Sequence, residues 1–455
     1  MPLLSSRLST ATEVRACDGY STIAGGSQPV REVSKRLPTS VETGALNEKQ
    51  WMREAALLTL GETGAHHFER LIHLSRREWQ ELAGWLDISG LALYFADRLS
   101  ELRMRGMLPA EVADRLQQNL ADNTERTHSM IEEAVAIQLA FQNADVSYSL
   151  LKGLSLFPLS VRRPELRHQF DLDFLVTEDT IEVARRILEL RGYRLYAVSG
   201  KSWEFKRNEV PFASLDNMYK NSPCSVVELH VETRAADGSC RLDCLEQRHL
   251  YGVRMPVLSS VDLFLSQGLH AFKDVCSAFS RTAHLLEFYR HVLARRDDET
   301  FWRELRQRAE TDPRATVGLG VVTCLISTIL GDFAPESFKD WTVHVLPRNV
   351  RLWIDLYGRR TVFGQFPGTK AYLLLQKELE VAGVMGRRPI KSALFPTRLP
   401  PVIIRGVAGE KLSTRLCRYR LQVRYIFARM RFHIVEGLRY VWESYQWRQR
   451  TERPA

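Results

Sequence analysis

Phe170-Asp171-Leu172-Asp173-Phe174-Leu175-Val176 is an apolar run broken only by two aspartates, and its reading decides the fold. As a strand it sends residues i and i+2 to the same side, so both carboxylates emerge together from a hydrophobic element. Two adjacent carboxylates in such surroundings repel each other and lose hydration, so the pair needs positive charge beside it. A divalent cation meets that need, because Mg2+ takes one or two carboxylates together with phosphate oxygens. The plainer alternative has one aspartate capping a turn and the other paired with Arg163 or Arg167.

Upstream, Val146 to Leu151 is a β-prone run that ends at Lys152-Gly153, with a brief helical segment expected to end near Pro164. A glycine there lets the backbone approach a phosphate, the helix N-terminus offers free N–H groups, and Lys152 and Ser155 add a charge and a hydroxyl. Downstream, Ser225 to Glu232 reads as a strand with Glu228, His230 and Glu232 on one face, alternating with Val227, Leu229 and Val231. Beside the aspartates, Glu228 is a third carboxylate able to orient or deprotonate an attacking hydroxyl; alone, the strand is a solvent-facing edge. Asp179 to Glu182 has the spacing of a capping box and opens a helix that Gly192 ends, while Trp203 to Lys206 and Pro211 to Leu215 supply more strands. Strands alternating with helices predict a mixed α/β sheet domain over 146–260.

The flanks have helical period. Trp79, Leu82, Leu86, Leu91, Leu93, Phe95, Leu99 and Leu102 recur at helical spacing within a 46–145 region. Pro109 fits a first turn, and Thr124 to Asn143 reads as a long helix with Ile131, Ala134, Ile137, Leu139 and Phe141 inward. The first 45 residues are rich in Ser, Thr, Gly and Pro and are expected to be disordered. Helical pattern returns over 261–382, and 383–455 is read as a Pro- and Gly-rich linker followed by a basic helix over Leu412 to Trp447. The region from Asp262 to Ala294, read as one continuous helix, sets His270, Lys273, Arg281 and His284 on a common cationic face suited to a triphosphate.

The chain has 455 residues and a formal charge of +9, and the basicity is concentrated at one end. Residues 386–455 hold 14 Arg and 2 Lys against 4 Glu, leaving the first 385 residues slightly acidic at −3. That distribution gives no firm nucleic-acid signal for the body. In the tail, Leu416, Ile426, Phe427, Met430, Ile434, Leu438, Val441 and Trp442 interleave with arginines. Such a helix packs its apolar stripe on the body and solvates its arginines, lies on an anionic membrane surface, meets a partner, or binds nucleic acid through its arginines. The seven cysteines are scattered without paired C-x-x-C spacing and read as free thiols. Ala315 to Gly331, uncharged but interrupted by glycine, is expected as a buried core helix, and the absence of a secretory pattern at residues 1–40 points to a cytoplasmic protein, peripheral at the membrane if the tail binds lipid. P-loop, dinucleotide-binding, HExxH and GxSxG motifs are absent, since Gly200-Lys201-Ser202 lacks the first P-loop glycine.

Leu150-Leu151-Lys152-Gly153, Arg163 or Arg167, Asp171-Leu172-Asp173-Phe174-Leu175-Val176 and Glu228-Leu229-His230 together resemble the uncharacterised nucleotidyltransferase family, a branch of the DNA polymerase beta-like nucleotidyltransferase superfamily. Gln267 to His270 with Lys273, then Arg281 and Glu287, are similar to a later helix of that family. Lys-Gly stands where the superfamily usually has Gly-Ser, Glu232 replaces an aromatic, and Glu287 replaces an Asp. The resemblance implies an α+β protein with a small mixed β-sheet nucleotidyltransferase core flanked by helical N-terminal and C-terminal regions. It also implies in-line attack of a hydroxyl on the α-phosphorus of an NTP, with Asp171, Asp173 and Glu228 as catalytic and metal residues for Mg2+ or Mn2+. Lys152, Gly153, Ser155, Arg167, His270, Lys273 and Arg281 are the expected nucleotide-binding set. The acceptor, whether protein, sugar, small molecule or RNA end, is not encoded in any motif. The alternative is a non-catalytic nucleotide- or partner-binding protein on the same fold.

Overall fold

The computed structural model describes residues 49–207, 218–220, 226–235, 238–310, 312–386, 390–395 and 411–451. The N-terminal segment, the strand expected at Pro211 to Leu215, part of the linker, Cys17 and Cys224 lie outside the described residues; Cys240, Cys244, Cys276, Cys324 and Cys417 are free thiols.

Seven strands form one mixed sheet: β1 (Tyr148–Leu151), β2 (Asp171–Thr177), β3 (Arg194–Ser199), β4 (Ser202–Lys206), β5 (Val226–Glu232), β6 (Leu245–Leu250) and β7 (Val253–Leu258). Their order is β3-β4-β5-β2-β1-β7-β6. The aspartate strand β2 is central, antiparallel to β1 and parallel to β5. Strands β3 and β6 carry no strong apolar alternation because they are the sheet's two edges, where polar side chains protect unpaired backbone. Both escape the sequence reading for that reason.

The pleat gives the sheet two unlike faces. Leu172, Phe174 and Val176 of β2, with Val227 and Leu229 of β5, pack with Ile137 and Phe141 of α1 (Ala110–Asn143) and Ala184 and Leu188 of α2 (Ile181–Leu190). The opposite face carries Asp171, Asp173, Glu228 and His230 and turns toward the helical part of the chain. Met52, Phe68 and Trp85 from the N-terminal helices share one core with Phe264, Phe288, Leu325 and Trp353 from the later ones. Helix α3 (Pro313–Leu330) is long and apolar enough to cross a membrane, but Ala315, Leu319, Val321 and Val322 are fully buried in that core.

Several local expectations are corrected. The segment after Lys152-Gly153 is a single 3-10 turn, Gly153–Leu156, rather than a helix, so this segment brings no helix dipole to the site. The Asp179 capping box does not form: Thr180 is the N-cap residue without a side-chain cap, and the Thr177 and Thr180 hydroxyls bond each other at 2.8 Å. The helix expected from Thr124 begins at Ala110 and runs 34 residues, and its Leu139 is 53% exposed because its inward face is already filled. The continuous helix over 262–294 is two, α4 (Ser260–Val275) and α5 (Thr282–Ala294). The final helix, α6 (Leu412–Thr451), buries Tyr425, Tyr440 and Trp447, while the apolar stripe read from the sequence, apart from the half-buried Ile426, faces outward, against the reading in which it packs on the body.

Candidate active site

Strand register builds the site. Leu151 pairs with Asp173, and Asp173 pairs with Glu228 on the adjacent parallel strand. Glu228 therefore lies one strand from the aspartates, on an internal strand rather than a solvent-facing edge. Lys152 leaves β1 with φ +47° and Gly153 follows at +25°, a left-handed turn that a residue with a β-carbon strains to adopt. A β-carbon at Gly153 would also meet Gln169 Oε1 at 2.0 Å.

That turn swings the Lys152 ammonium over the carboxylates. Its Nζ donates to Asp173 Oδ1 at 2.7 Å and to Glu228 Oε2 at 3.4 Å, with His230 Nε2 at 3.4 Å. His230 Nε2 lies 2.9 Å from Asp173 Oδ1 and 3.2 Å from Glu228 Oε2. Ser202 donates its hydroxyl to Glu228 Oε1. Burial alone would raise the Asp173 carboxyl, but Lys152 and His230 outweigh it and hold Asp173 well below the usual range. Burial likewise opposes charge on Lys152, and Asp173, Glu228 and Asp171 more than restore it. His230 is desolvated, yet its hydrogen bonds to Asp173 and Glu228 raise its pKa. Ligand atoms of Asp173, Glu228 and His230 all lie within 4.8 Å of one another. The two carboxylates offer oxygens of the kind Mg2+ or Mn2+ takes, the imidazole beside them is a softer donor than those ions prefer, and Asp171, two residues along, adds charge on the same side.

A second network lies across the cleft. Arg167 Nε donates to Glu287 Oε1 at 3.1 Å, and Tyr94 Oη donates to the same oxygen at 2.8 Å. Burial would push the Glu287 carboxyl up; the Arg167 guanidinium, with the Tyr94 hydroxyl, holds it down. Lys152, Arg167, His270, His284 and Glu287 line one narrow pocket, so the break between α4 and α5 still brings the two histidines together, with rings 4.7 Å apart. His284 Nδ1 is bonded to Asp274 Oδ2 at 2.6 Å, and burial lowers both histidines to about 3, keeping them neutral.

Other expected residues fall elsewhere. Lys273 is exposed on α4 and makes no hydrogen bond or ion pair among the described residues. Arg281 packs against Gly90 and donates to the His168 carbonyl at 3.1 Å. Ser155 is fully buried, and its hydroxyl donates to the Lys152 carbonyl at 2.7 Å, bracing the turn rather than facing the cleft.

His230 as a partner of Asp173, Ser202 on Glu228, and Tyr94 on Glu287 were not identified from the sequence. The alternation of β5 already set His230 beside Glu228, which was a usable signal. Ser202 and Tyr94 arrive from elements whose positions no local pattern encodes.

Residues 75–327 match the sequence model of a family described as uncharacterised nucleotidyltransferase. No curated protein matches the chain. Among solved structures, it is similar to the lincomycin-bound lincosamide antibiotic adenylyltransferase LnuA, at 18% identity over 35% of this chain and 94% of that one, with a TM-score of 0.26. It is also similar to the antibiotic-resistance factor ANT(2'')-Ia, at 12% identity over 42% and 95% of the two chains with a TM-score of 0.30. A nucleotidyltransferase-like antigenic protein from Paracoccidioides brasiliensis matches at 13% identity over 41% and 90%, with a TM-score of 0.25.

Proposed function

The chain belongs to the uncharacterised nucleotidyltransferase family, and from that premise we propose that it transfers a nucleoside monophosphate from an NTP to a hydroxyl acceptor in a metal-dependent reaction. The observation that carries this reading is the convergence of Asp173, Glu228 and His230 from adjacent strands under the Lys152 ammonium.

In the proposed reaction the acceptor oxygen forms a bond to the α-phosphorus as the bond from that phosphorus to the bridging oxygen breaks, and pyrophosphate leaves. Asp171, Asp173 and Glu228, with His230, are the residues that would hold Mg2+ or Mn2+. When bound, that ion neutralises triphosphate charge and polarises the phosphoryl oxygens. Where it serves the nucleophile rather than the metal, Glu228 would accept the proton of the attacking hydroxyl, and Ser202 bonds one of its oxygens. Lys152 can offer its ammonium to phosphate oxygens as well as to carboxylates, and Arg167, held by Glu287, presents a second cation in the same pocket. The neutral His270 and His284 add hydrogen-bonding groups without further charge.

The Lys152 ion pair also supports the second reading, a non-catalytic nucleotide binder in which lysine permanently stands in for the metal. Nucleotide affinity separates the two. ATP binding measured by calorimetry should strengthen at least about tenfold with Mg2+ over EDTA, and Asp171→Asn with Asp173→Asn should abolish that gain. Metal-independent affinity, unchanged in the double variant, would remove the metal from the reading.

A further inference from the structure

Ten of the twelve exposed large apolar residues of helix α6 share a register with one geometric meaning; the other two, Val435 and Trp442, lie on the edge of that stripe beside Arg424 and Arg431. Leu412, Leu416, Tyr419, Val423, Phe427, Met430, Ile434, Leu438, Val441 and Tyr445 are each between 48% and 71% exposed. Their spacing repeats every 11 residues: Leu412, Val423, Ile434 and Tyr445 are one series, Leu416, Phe427 and Leu438 a second, Tyr419, Met430 and Val441 a third. Eleven residues advance an α-helix only about 20° beyond three full turns, so the stripe stays nearly straight. From Leu412 to Tyr445 it extends about 50 Å. The face buried against the body, with Tyr425, Glu436, Tyr440 and Trp447, lies on another side of the helix.

Charge decides what covers the stripe. Exposed Arg420, Arg424 and Arg431 border one edge and exposed Arg415 the other. The helix has only two acids, and both are spent inward. Glu436 accepts from the Lys370 backbone N–H at 3.1 Å and from Arg439 at 2.7 Å, while Glu443 is paired with Arg360 of the body. A second copy packed on this stripe would set arginine rows against one another with no carboxylate to answer them. A nucleic acid would leave ten apolar side chains without a partner. An anionic bilayer answers both the apolar stripe and its arginine borders, and the exposed Tyr419, Trp442 and Tyr445 suit the headgroup level.

We propose that the outward face of Leu412–Thr451 lies in the interface of an anionic lipid bilayer and holds the protein at a membrane surface. This surface is separate from the carboxylate site and stands or falls without it.

Flotation of the full-length protein with phosphatidylcholine vesicles, with and without about a third phosphatidylglycerol, tests it. Wild type should float with the anionic vesicles, at least about tenfold less with neutral ones, and less as salt is raised. Leu416→Glu with Phe427→Glu and Leu438→Glu should abolish flotation, and Arg420→Glu with Arg424→Glu and Arg431→Glu should reduce it at least about tenfold, both with wild-type circular dichroism and thermal midpoint. Failure of wild type to float, or equal flotation of correctly folded variants, would overturn the proposal. So would a wild-type dimer in light scattering that the apolar variant renders monomeric, or RNA binding that survives that variant.

Discussion

The Lys152 ammonium is within 3.4 Å of Asp173, Glu228 and His230, so it is the residue on which the balance of the cluster turns. Replacing it with methionine leaves two neighbouring carboxylates, one of them 5% exposed, without their main cation. Lys152→Met should lose about 3 kcal/mol in urea unfolding with EDTA present, and Mg2+ should restore part of that loss while adding less to wild type. A variant equally stable with and without Mg2+ would contradict a metal at these carboxylates. Beside it, Gly153→Ala meets both a positive φ and the Gln169 amide, and should cost about 1–3 kcal/mol, with part recovered when Gln169→Ala removes the clash. At this scale the sequence was informative: the Asp171 and Asp173 pair, Glu228 and Lys152 all read from local spacing. Their pairing did not, because which side chain neutralises a buried carboxylate depends on a turn geometry that spacing does not express.

Elements are placed by strand register and by buried ion pairs. Helix α5 is tied to the sheet region by Glu287, 1% exposed, which receives both Arg167 and Tyr94. Glu287→Ala should therefore destabilise by about 3 kcal/mol or more, whereas Tyr94→Phe removes one hydrogen bond and should cost about 1 kcal/mol, both read from chemical denaturation. Comparable small losses in the two would show that the network is not the tie. Of the inner strands, β1, β2, β4 and β5 were legible as short apolar or alternating runs, whereas β7, with Arg254 and Pro256 breaking its pattern, was not. Helix boundaries were harder: the break at residues 276–281 falls inside an apparently periodic run, and the 3-10 turn after Gly153 resembles a helix start. In α6 the amphipathic pattern was plain, but periodicity alone cannot say which side meets the body.

Across the whole molecule, burial shapes the response to acid. His270, His284 and His291 are each lowered to about 3 by burial. A histidine with a depressed folded pKa stabilises fully above its unfolded value of 6.5 and loses that contribution as pH falls toward 3. Asp87 acts in the opposite sense: burial raises it to about 6, so the folded state takes up a proton as pH falls through that value. Histidines lowered by burial in this way, His168 and His433 among them, outnumber the groups held above their ordinary values, Asp87, Asp274 and His230, so the unfolded state binds more protons between pH 6 and 5 and stability falls over that interval. The thermal midpoint should drop steeply over that interval; a flat midpoint from pH 7 to 5 would contradict it. None of these burials was visible in the linear pattern, because the N-terminal helices, the sheet and the later helices contribute jointly to the interior.

The most direct test of the central claim follows the two ends of the nucleotide. Protein, Mg2+ and cell extract, which supplies the acceptor, are incubated with ATP labelled on either the α- or the γ-phosphorus, and products are compared with those of Asp173→Asn. Nucleotidyl transfer predicts a new α-labelled product, γ-label recovered in pyrophosphate, and loss of both in the variant. Transfer of the γ-label to the product, or an α-labelled product formed equally by Asp173→Asn, would contradict it.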